Sequence, residues 1–148
     1  VPGIVGLGKA VELITKRLSK NMEYETWLRE SMLSTFLTEI PDVQLNGSLV
    51  CRVPGNVNVM FKGVRAESLL AMLAMKGFAC STGSACNSED AAPSHVLKAI
   101  GLSDEEAESS IRFSLSEFNT VEEVNALCDA VKIIVDQLRL ATGYVSVI

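Results

Sequence analysis

Cys86 sits within a run of small and polar residues, Ser-Thr-Gly-Ser-Ala-Cys-Asn-Ser-Glu-Asp-Ala-Ala over positions 81–92. A structural cysteine normally lies in an apolar periodic segment, as Cys128 does and as Cys51 is expected to do. Cys86 has no such segment around it, which predicts a loop thiol. A nucleophilic thiol needs a lowered pKa, and that requires an electropositive setting. The local sequence does not supply one. No lysine or arginine lies within nine residues of Cys86 on either side, and Glu89 and Asp90 oppose ionisation. The residues alone therefore leave two readings open: an incidental surface thiol, and a thiol activated by groups distant in sequence. His95 lies nine residues further on. A Cys–His dyad is set by tertiary geometry rather than by spacing, and no local signature of a cysteine protease is present, so a histidine on a helix surface is the simpler expectation. Arg112 lies on the face of its strand opposite Ile111, Phe113 and Leu115, with Ser114 and Ser116 beside it. A guanidinium held on the polar face of a rigid strand can grip a carboxylate as a bidentate fork. A solvated or structural ion pair fits the same pattern.

The chain that must position these groups has 148 residues, which suits one domain. Hydrophobic residues make up 48% and charged residues 21%, with mean hydropathy +0.28, so disordered and collagen-like chains are excluded. The formal charge of −5, with no basic cluster, argues against nucleic acid as the main partner. No apolar run approaches the roughly 18–20 residues that a membrane span needs. The N-terminus has no basic stretch followed by an apolar core, so no signal peptide is expected. The cysteines at 51, 80, 86 and 128 form neither a zinc knuckle nor a secreted disulfide framework, and there is one histidine. Their usage points to a reducing, cytoplasmic compartment. Val1 is not methionine, which suggests a processed, cut or fragment chain.

Periodicity supplies the elements. Residues 2–40 read as one long helix, or as two with a soft joint. Ile4, Leu7, Val11, Ile14 and Leu18 form one stripe, and Leu28, Met32, Leu33, Phe36 and Leu37 form a second. A continuous helix over this span would run about 55 Å, long enough to bridge two bodies, so part of its apolar face is expected to lack a partner here. Residues 48–53 read as a strand ended by Pro54-Gly55, a turn to which no chemistry attaches. Val57, Val59 and Phe61 then alternate with Asn58, Met60 and Lys62, the period of a half-buried second strand. A helix over 65–76 closes at Gly77, and residues 78–80 are a short strand candidate. Pro93 opens a short helix that Gly101 ends. Capping boxes at Ser103/Glu106 and Thr120/Glu123 start two more. Ile111, Phe113 and Leu115 mark a strand, and the helix after Thr120 buries Val124, Cys128, Val131, Val135 and Leu138. Residues 144–148 suit a last strand. The result is an α/β or α+β sandwich, a small sheet with helices mainly on one face.

Several segments taken together resemble the NifS/IscS kind of cysteine desulfurase. They are Gly83-Ser84-Ala85-Cys86, Pro93-Ser94-His95-Val96-Leu97, Ser110-Ile111-Arg112-Phe113-Ser114-Leu115, Pro54-Gly55-Asn56 through Phe61, and Phe118-Asn119-Thr120 with Glu122 and Glu123. Val1-Pro2-Gly3-Ile4-Val5-Gly6-Leu7-Gly8 is similar to the segment that opens that family's interdomain helix, and the likeness extends to about Ala141. It implies the small C-terminal domain of an aspartate-aminotransferase-like fold, with a linking helix over 1–40 and the domain proper over 41–148. It implies pyridoxal phosphate chemistry that takes sulfur from L-cysteine, leaving L-alanine and a protein persulfide. By position, Cys86 would accept the sulfur and Arg112 would hold the substrate carboxylate. The loop would swing Cys86 between the cofactor and a sulfur acceptor, which implies that residues 81–92 are mobile. An iron–sulfur scaffold protein is the implied acceptor, with Cys86 as a transient cluster ligand, and the full enzyme would be a homodimer.

The sequence departs from that pattern in two places. The family's cofactor lysine follows Ser-x-His, and none of the seven lysines here has that context. The phosphate-binding threonine segment would lie before Val1. No cofactor-binding residue is therefore expected in this chain, and the chain alone is expected to be inactive. Ser116-Glu117 stands where relatives often carry glycine and a basic residue, which bears on acceptor docking. A selenocysteine lyase, or a stand-alone persulfide carrier without cofactor chemistry, is the alternative.

Overall fold

The structure is a computed structural model and describes residues 1–82 and 93–145. Helix α1 (Pro2–Thr15) and helix α2 (Leu18–Glu39) lead into strands β1 (Val43–Leu45) and β2 (Asn56–Phe61), and helix α3 (Ala66–Met75) follows. Two short helices, α4 (His95–Ala99) and α5 (Asp104–Glu108), precede strand β3 (Ser110–Ser114) and helix α6 (Val121–Thr142). The three strands form one antiparallel sheet in the order β1-β2-β3.

The core lies on one face of this sheet. Val57, Val59 and Phe61 of β2 and Ile111 and Phe113 of β3 point into it. They meet Leu28, Met32, Leu33 and Phe36 of α2, Leu69 and Leu73 of α3, and Val124, Cys128, Val131, Ile134 and Val135 of α6. Phe36 sits between the two strands, with its ring 5.6 Å from that of Phe61 and 5.5 Å from that of Phe113. Fully burying one such side chain contributes about 1.5–3 kcal/mol, so this aromatic triplet anchors α2 to the sheet. Both expected capping boxes form: Ser103 and Thr120 each accept from the backbone N–H three residues on, and the glutamates return the bond. Gly143 ends α6 in the left-handed conformation, φ 69°. Beyond it, Tyr144 donates to the Asp42 carboxylate at 3.1 Å, with the Arg139 guanidinium over its ring.

The N-terminal helical region is two helices, broken at Lys16 and Arg17, where Arg17 N–H bonds to Ile14 O, three residues back, at 3.0 Å. No glycine or proline marks this joint. Nothing on α1 is buried, and Ile4, Leu7, Val11, Ile14 and Leu18 all face outward, as the unpartnered stripe anticipated. The second stripe enters the core except for Leu37, which is exposed.

The strand expected over 48–53 is absent. The Ser48 hydroxyl accepts from the backbone N–H of Val50 and Cys51, at 3.2 and 3.0 Å, which curls the chain. Val50 and Val53 are exposed, and so is Cys51, contrary to its expected core setting. The strand beside β2 is instead β1, whose Val43 pairs with Phe61. Residues 78–80 form no strand. Only Ser81 joins the sheet, as an isolated bridge to Arg112. Tyr144 and Val145 are not in a strand either, and residues 146–148 lie outside the described ones.

Candidate functional site

Apart from Met60, the face of the sheet opposite the core is polar, because the strands alternate. Asn46, Asn58 and Arg112 form a row across it. Asn46 N–H donates to Asn58 O at 2.9 Å, and Asn58 stands opposite Arg112 in the β2–β3 register. The backbone N–H and C=O of Arg112 both go to Ser81, at 2.6 and 3.0 Å. Neither is left to bond Asn58, so Asn58 and Arg112 form a non-hydrogen-bonded pair. In such a pair the Cα atoms are only about 4.5 Å apart and the side chains lie close together. Ile111 and Phe113, at 0% and 2% exposure, lock the strand so that Arg112 cannot turn inward.

Arg112 is half-buried, and among the described residues no hydrogen bond or ion pair engages its guanidinium. It lines a cleft of about 250 Å³ together with Asn46, Asn56, Asn58, Thr82, Ser94, Val96, Leu97 and Ile100. No acidic side chain is among these. A second cation stands behind them: Arg52 reaches the backbone carbonyls of Ser48 at 2.9 Å and Asn56 at 3.3 Å, and that of Asn46 as well. Burial, and then the charge of Arg29, lower the pKa of Arg52, but an arginine remains protonated. The cleft thus combines an unpaired guanidinium, amides and hydroxyls with an apolar wall from α4. This arrangement suits a small molecule carrying a carboxylate. A second hollow of about 300 Å³, lined by Phe78, Phe113, Leu115, Leu127, Asn119 and Glu123 among others, offers no cation.

The structure places the sequence candidates unevenly. Arg112 is on the polar face, as expected. Cys86, both as sulfur acceptor and as cluster ligand, lies outside the described residues, and so does most of the 81–92 segment. Its flanks are described, and Thr82 and Ser94 both line the Arg112 cleft. His95 is exposed at the start of α4 and is not part of the cleft wall. The thiols of Cys80 and Cys128 are not activated. Burial raises the pKa of Cys80, and it pushes Cys128 up to about 11. Among the described residues no group of three or more His, Cys, Asp or Glu side chains could hold a metal, and no helix is long and apolar enough to cross a membrane. None of the seven lysines lines the cleft. Lys98 is paired to Asp104, and Lys132 to Glu39 and Asp129. The described residues therefore do not fit pyridoxal phosphate, which needs a lysine to carry it. Asn46, Asn58 and Arg52 were not singled out from the sequence. The signal available was the alternation of Asn56 and Asn58 with Val57 and Val59, which already placed two amides on the polar face.

Residues 1–127 match the family model for aminotransferase class-V proteins. The chain belongs to the aminotransferase class-V family. Its curated relatives include a cysteine desulfurase of Nostoc sp., 41% identical over 144 residues, which cover 97% of this chain and 36% of the relative. The cysteine desulfurase IscS of Methanosarcina thermophila is 45% identical over 139 residues, 94% of this chain and 34% of that protein. Among solved structures, a NifS-like protein from Rickettsia africae superposes with TM-score 0.78 at 31% identity, over 90% of this chain and 34% of that one. The chain thus spans about a third of the length of the curated relatives it matches. The resemblance drawn from the motifs and the fold class both stand. The small sheet with α2, α3 and α6 on one face is the fold that this class-V chain shares with the NifS-like structure.

Proposed function

We propose that this chain is the part of a cysteine desulfurase that grips the carboxylate of L-cysteine and carries the thiol that receives its sulfur. The observation that carries this reading is the half-buried Arg112 guanidinium, which no described residue pairs, in a cleft with no acid among its described lining residues, walled by Thr82 and Ser94, the flanks of the Cys86 segment. In the sequence Cys86 lies between these two flanks, four residues after Thr82 and eight before Ser94. Arg112 fixes the substrate by its carboxylate, and the apolar side of α4 bounds the space beside it. The net reaction transfers one sulfur atom. A bond forms between it and the Cys86 sulfur, the carbon–sulfur bond of cysteine breaks, and the carbon takes a proton to become the methyl group of L-alanine.

Pyridoxal phosphate is the cofactor we assign to the full protein. Its lysine and phosphate cradle would come from the two-thirds of such a protein that this chain does not span. A sulfur acceptor such as an iron–sulfur scaffold protein, a homodimeric assembly and a reducing, cytoplasmic compartment belong to the same proposal. A stand-alone persulfide carrier has no use for a carboxylate clamp, which favours the enzyme. The test uses the protein expressed with any coding sequence that continues upstream of Val1, supplied with pyridoxal phosphate and L-cysteine. Alanine and persulfide are expected in equal amounts, and Cys86→Ser should abolish the persulfide while substrate still binds. Normal persulfide formation by Cys86→Ser, or no alanine from wild type, overturns the reading. Comparing turnover of L-selenocysteine with that of L-cysteine decides between the desulfurase and a selenocysteine lyase.

A further inference from the structure

We infer that the side-chain amide of Asn58 is a second donor to the substrate carboxylate, beside Arg112, and that Asn46 and Ser110 orient it. The inference rests on the carboxylate-site reading above. It begins at Ser110, whose hydroxyl donates to Glu106 O at 2.7 Å. With its hydrogen committed there, that oxygen can only accept from Asn46 Nδ2, 2.9 Å away. The Asn46 amide is thereby turned so that its nitrogen also donates to Asn58 Oδ1, at 2.7 Å. Asn46 is 4% exposed, and its backbone is held from both sides, by Asn58 O and by Arg52. Asn58 therefore presents its oxygen to Asn46 and is left with two N–H donors on Nδ2. No described residue accepts from them, and they are not enclosed: Nδ2 of Asn58 is not among the buried unsatisfied atoms. Asn58 lines the cleft directly across the strand pair from Arg112, so these donors and the guanidinium face the same space.

The charges agree with this role. An ionised carboxylate accepts at about four lone-pair positions, and an arginine fork uses two of them. A neutral amide fills a third without adding a counter-charge. The relay also fixes which way Asn58 points before substrate arrives. An amide free to flip would first have to turn its oxygen away from the carboxylate.

The experiment uses the cofactor-loaded full protein. It compares inhibition constants of L-alanine with those of ethylamine, which is alanine without its carboxylate. Asn58→Ala should weaken L-alanine about tenfold, the order expected for one hydrogen bond to a charged group, and leave ethylamine within about twofold. Arg112→Lys is the companion variant. If Arg112→Lys weakens L-alanine selectively while Asn58→Ala weakens both ligands equally or neither, Asn58 is only structural and the inference falls, with the carboxylate site intact. If neither variant discriminates the two ligands, the carboxylate site itself falls, and the inference with it. Should Asn58→Ala not fold, wild-type protein labelled with 15N in its asparagine amides reads the same question. L-alanine is expected to shift the Asn58 side-chain resonances and ethylamine to leave them in place. A shift from both, or from neither, overturns the assignment.

Discussion

Replacing Arg112 by lysine keeps the charge and removes the fork. The arginine can make two parallel N–H···O bonds to a carboxylate, whereas an ammonium meets it as a point charge. A hydrogen bond to a charged group has a net worth of about 1.5–3 kcal/mol, and Arg112 is half-buried, so the lower end applies. One such bond lost corresponds to roughly a tenfold change in affinity. The carboxylate takes no part in the bond that breaks, so its grip is equal in the ground and transition states. KM for L-cysteine should therefore rise about tenfold while kcat changes less than about threefold. The fold should not notice. The guanidinium has no hydrogen bond or ion pair among the described residues, the backbone of Arg112 stays bonded to Ser81, and Ile111 and Phe113 remain buried. A surface change of this kind stays within about 0.5 kcal/mol. Alanine release and a thermal melt, run on the same preparations, provide the check. An unchanged KM, or a KM increase accompanied by a comparable loss of stability, refutes a binding role and makes Arg112 a structural residue.

Four further outcomes follow from the packing. Cys128→Ala should cost about 1 kcal/mol in urea unfolding, because a small buried group is removed from the α6 core face. The same thiol predicts a pH dependence. It is raised from an ordinary 9.0 to about 11 in the folded protein, so the unfolded chain loses its proton first. The stability from keeping it neutral is complete below pH 9 and drains away as pH rises through 11, and a Cys128→Ala protein should show a shallower decline over that window. Gly55→Ala should lower stability by about 1–3 kcal/mol, since a Cβ there would stand 2.1 Å from the Leu115 carbonyl oxygen; wild-type unfolding would show that the strands part freely at this point. Deleting residues 1–15 from the 148-residue chain should move its melting temperature by less than about 2 °C, because no residue of α1 is buried, and a larger fall would mean that α1 packs on the domain.

What could be read in advance was what a period or a cap announces. Val57, Val59 and Phe61 with Ile111 and Phe113 declared two strands and their inward faces, and Thr120 with Glu123 declared where α6 begins. β1 was missed because three residues are too few to show alternation, and its place in the sheet depends on pairing with β2. Residues 48–53 were misread because Val50 and Val53 have strand propensity, while one hydroxyl, that of Ser48, bends the chain away. That error carried Cys51 into an imagined core. The joint at Lys16 and Arg17 has no local residue signal. In the site, Arg112 was legible from its strand phase. The role of Asn46 was not, since it depends on a contact with Ser110, 64 residues away in the chain.

The same pleat that builds the core also aims the site. Each residue of β2 and β3 that points into the core forces its neighbour to the opposite face, so Val57 and Val59 set Asn58, and Ile111 and Phe113 set Arg112. A slip of one residue in β3 would exchange Arg112 with Ile111. It would bury a guanidinium among Phe36 and Val59, at a cost far beyond any gain on the polar face. Register is therefore enforced by hydrophobic burial. It is pinned at the end of the ladder by Gly55, whose carbonyl accepts from Leu115 N–H at 2.8 Å where no side chain would fit. Binding energy for a carboxylate is only as good as the placement of its donors, and here that placement is a by-product of packing. Core substitutions at Ile111 or Val59 should on this account disturb the cleft before they unfold the domain, whereas changes on the exposed α1 stripe should leave it untouched.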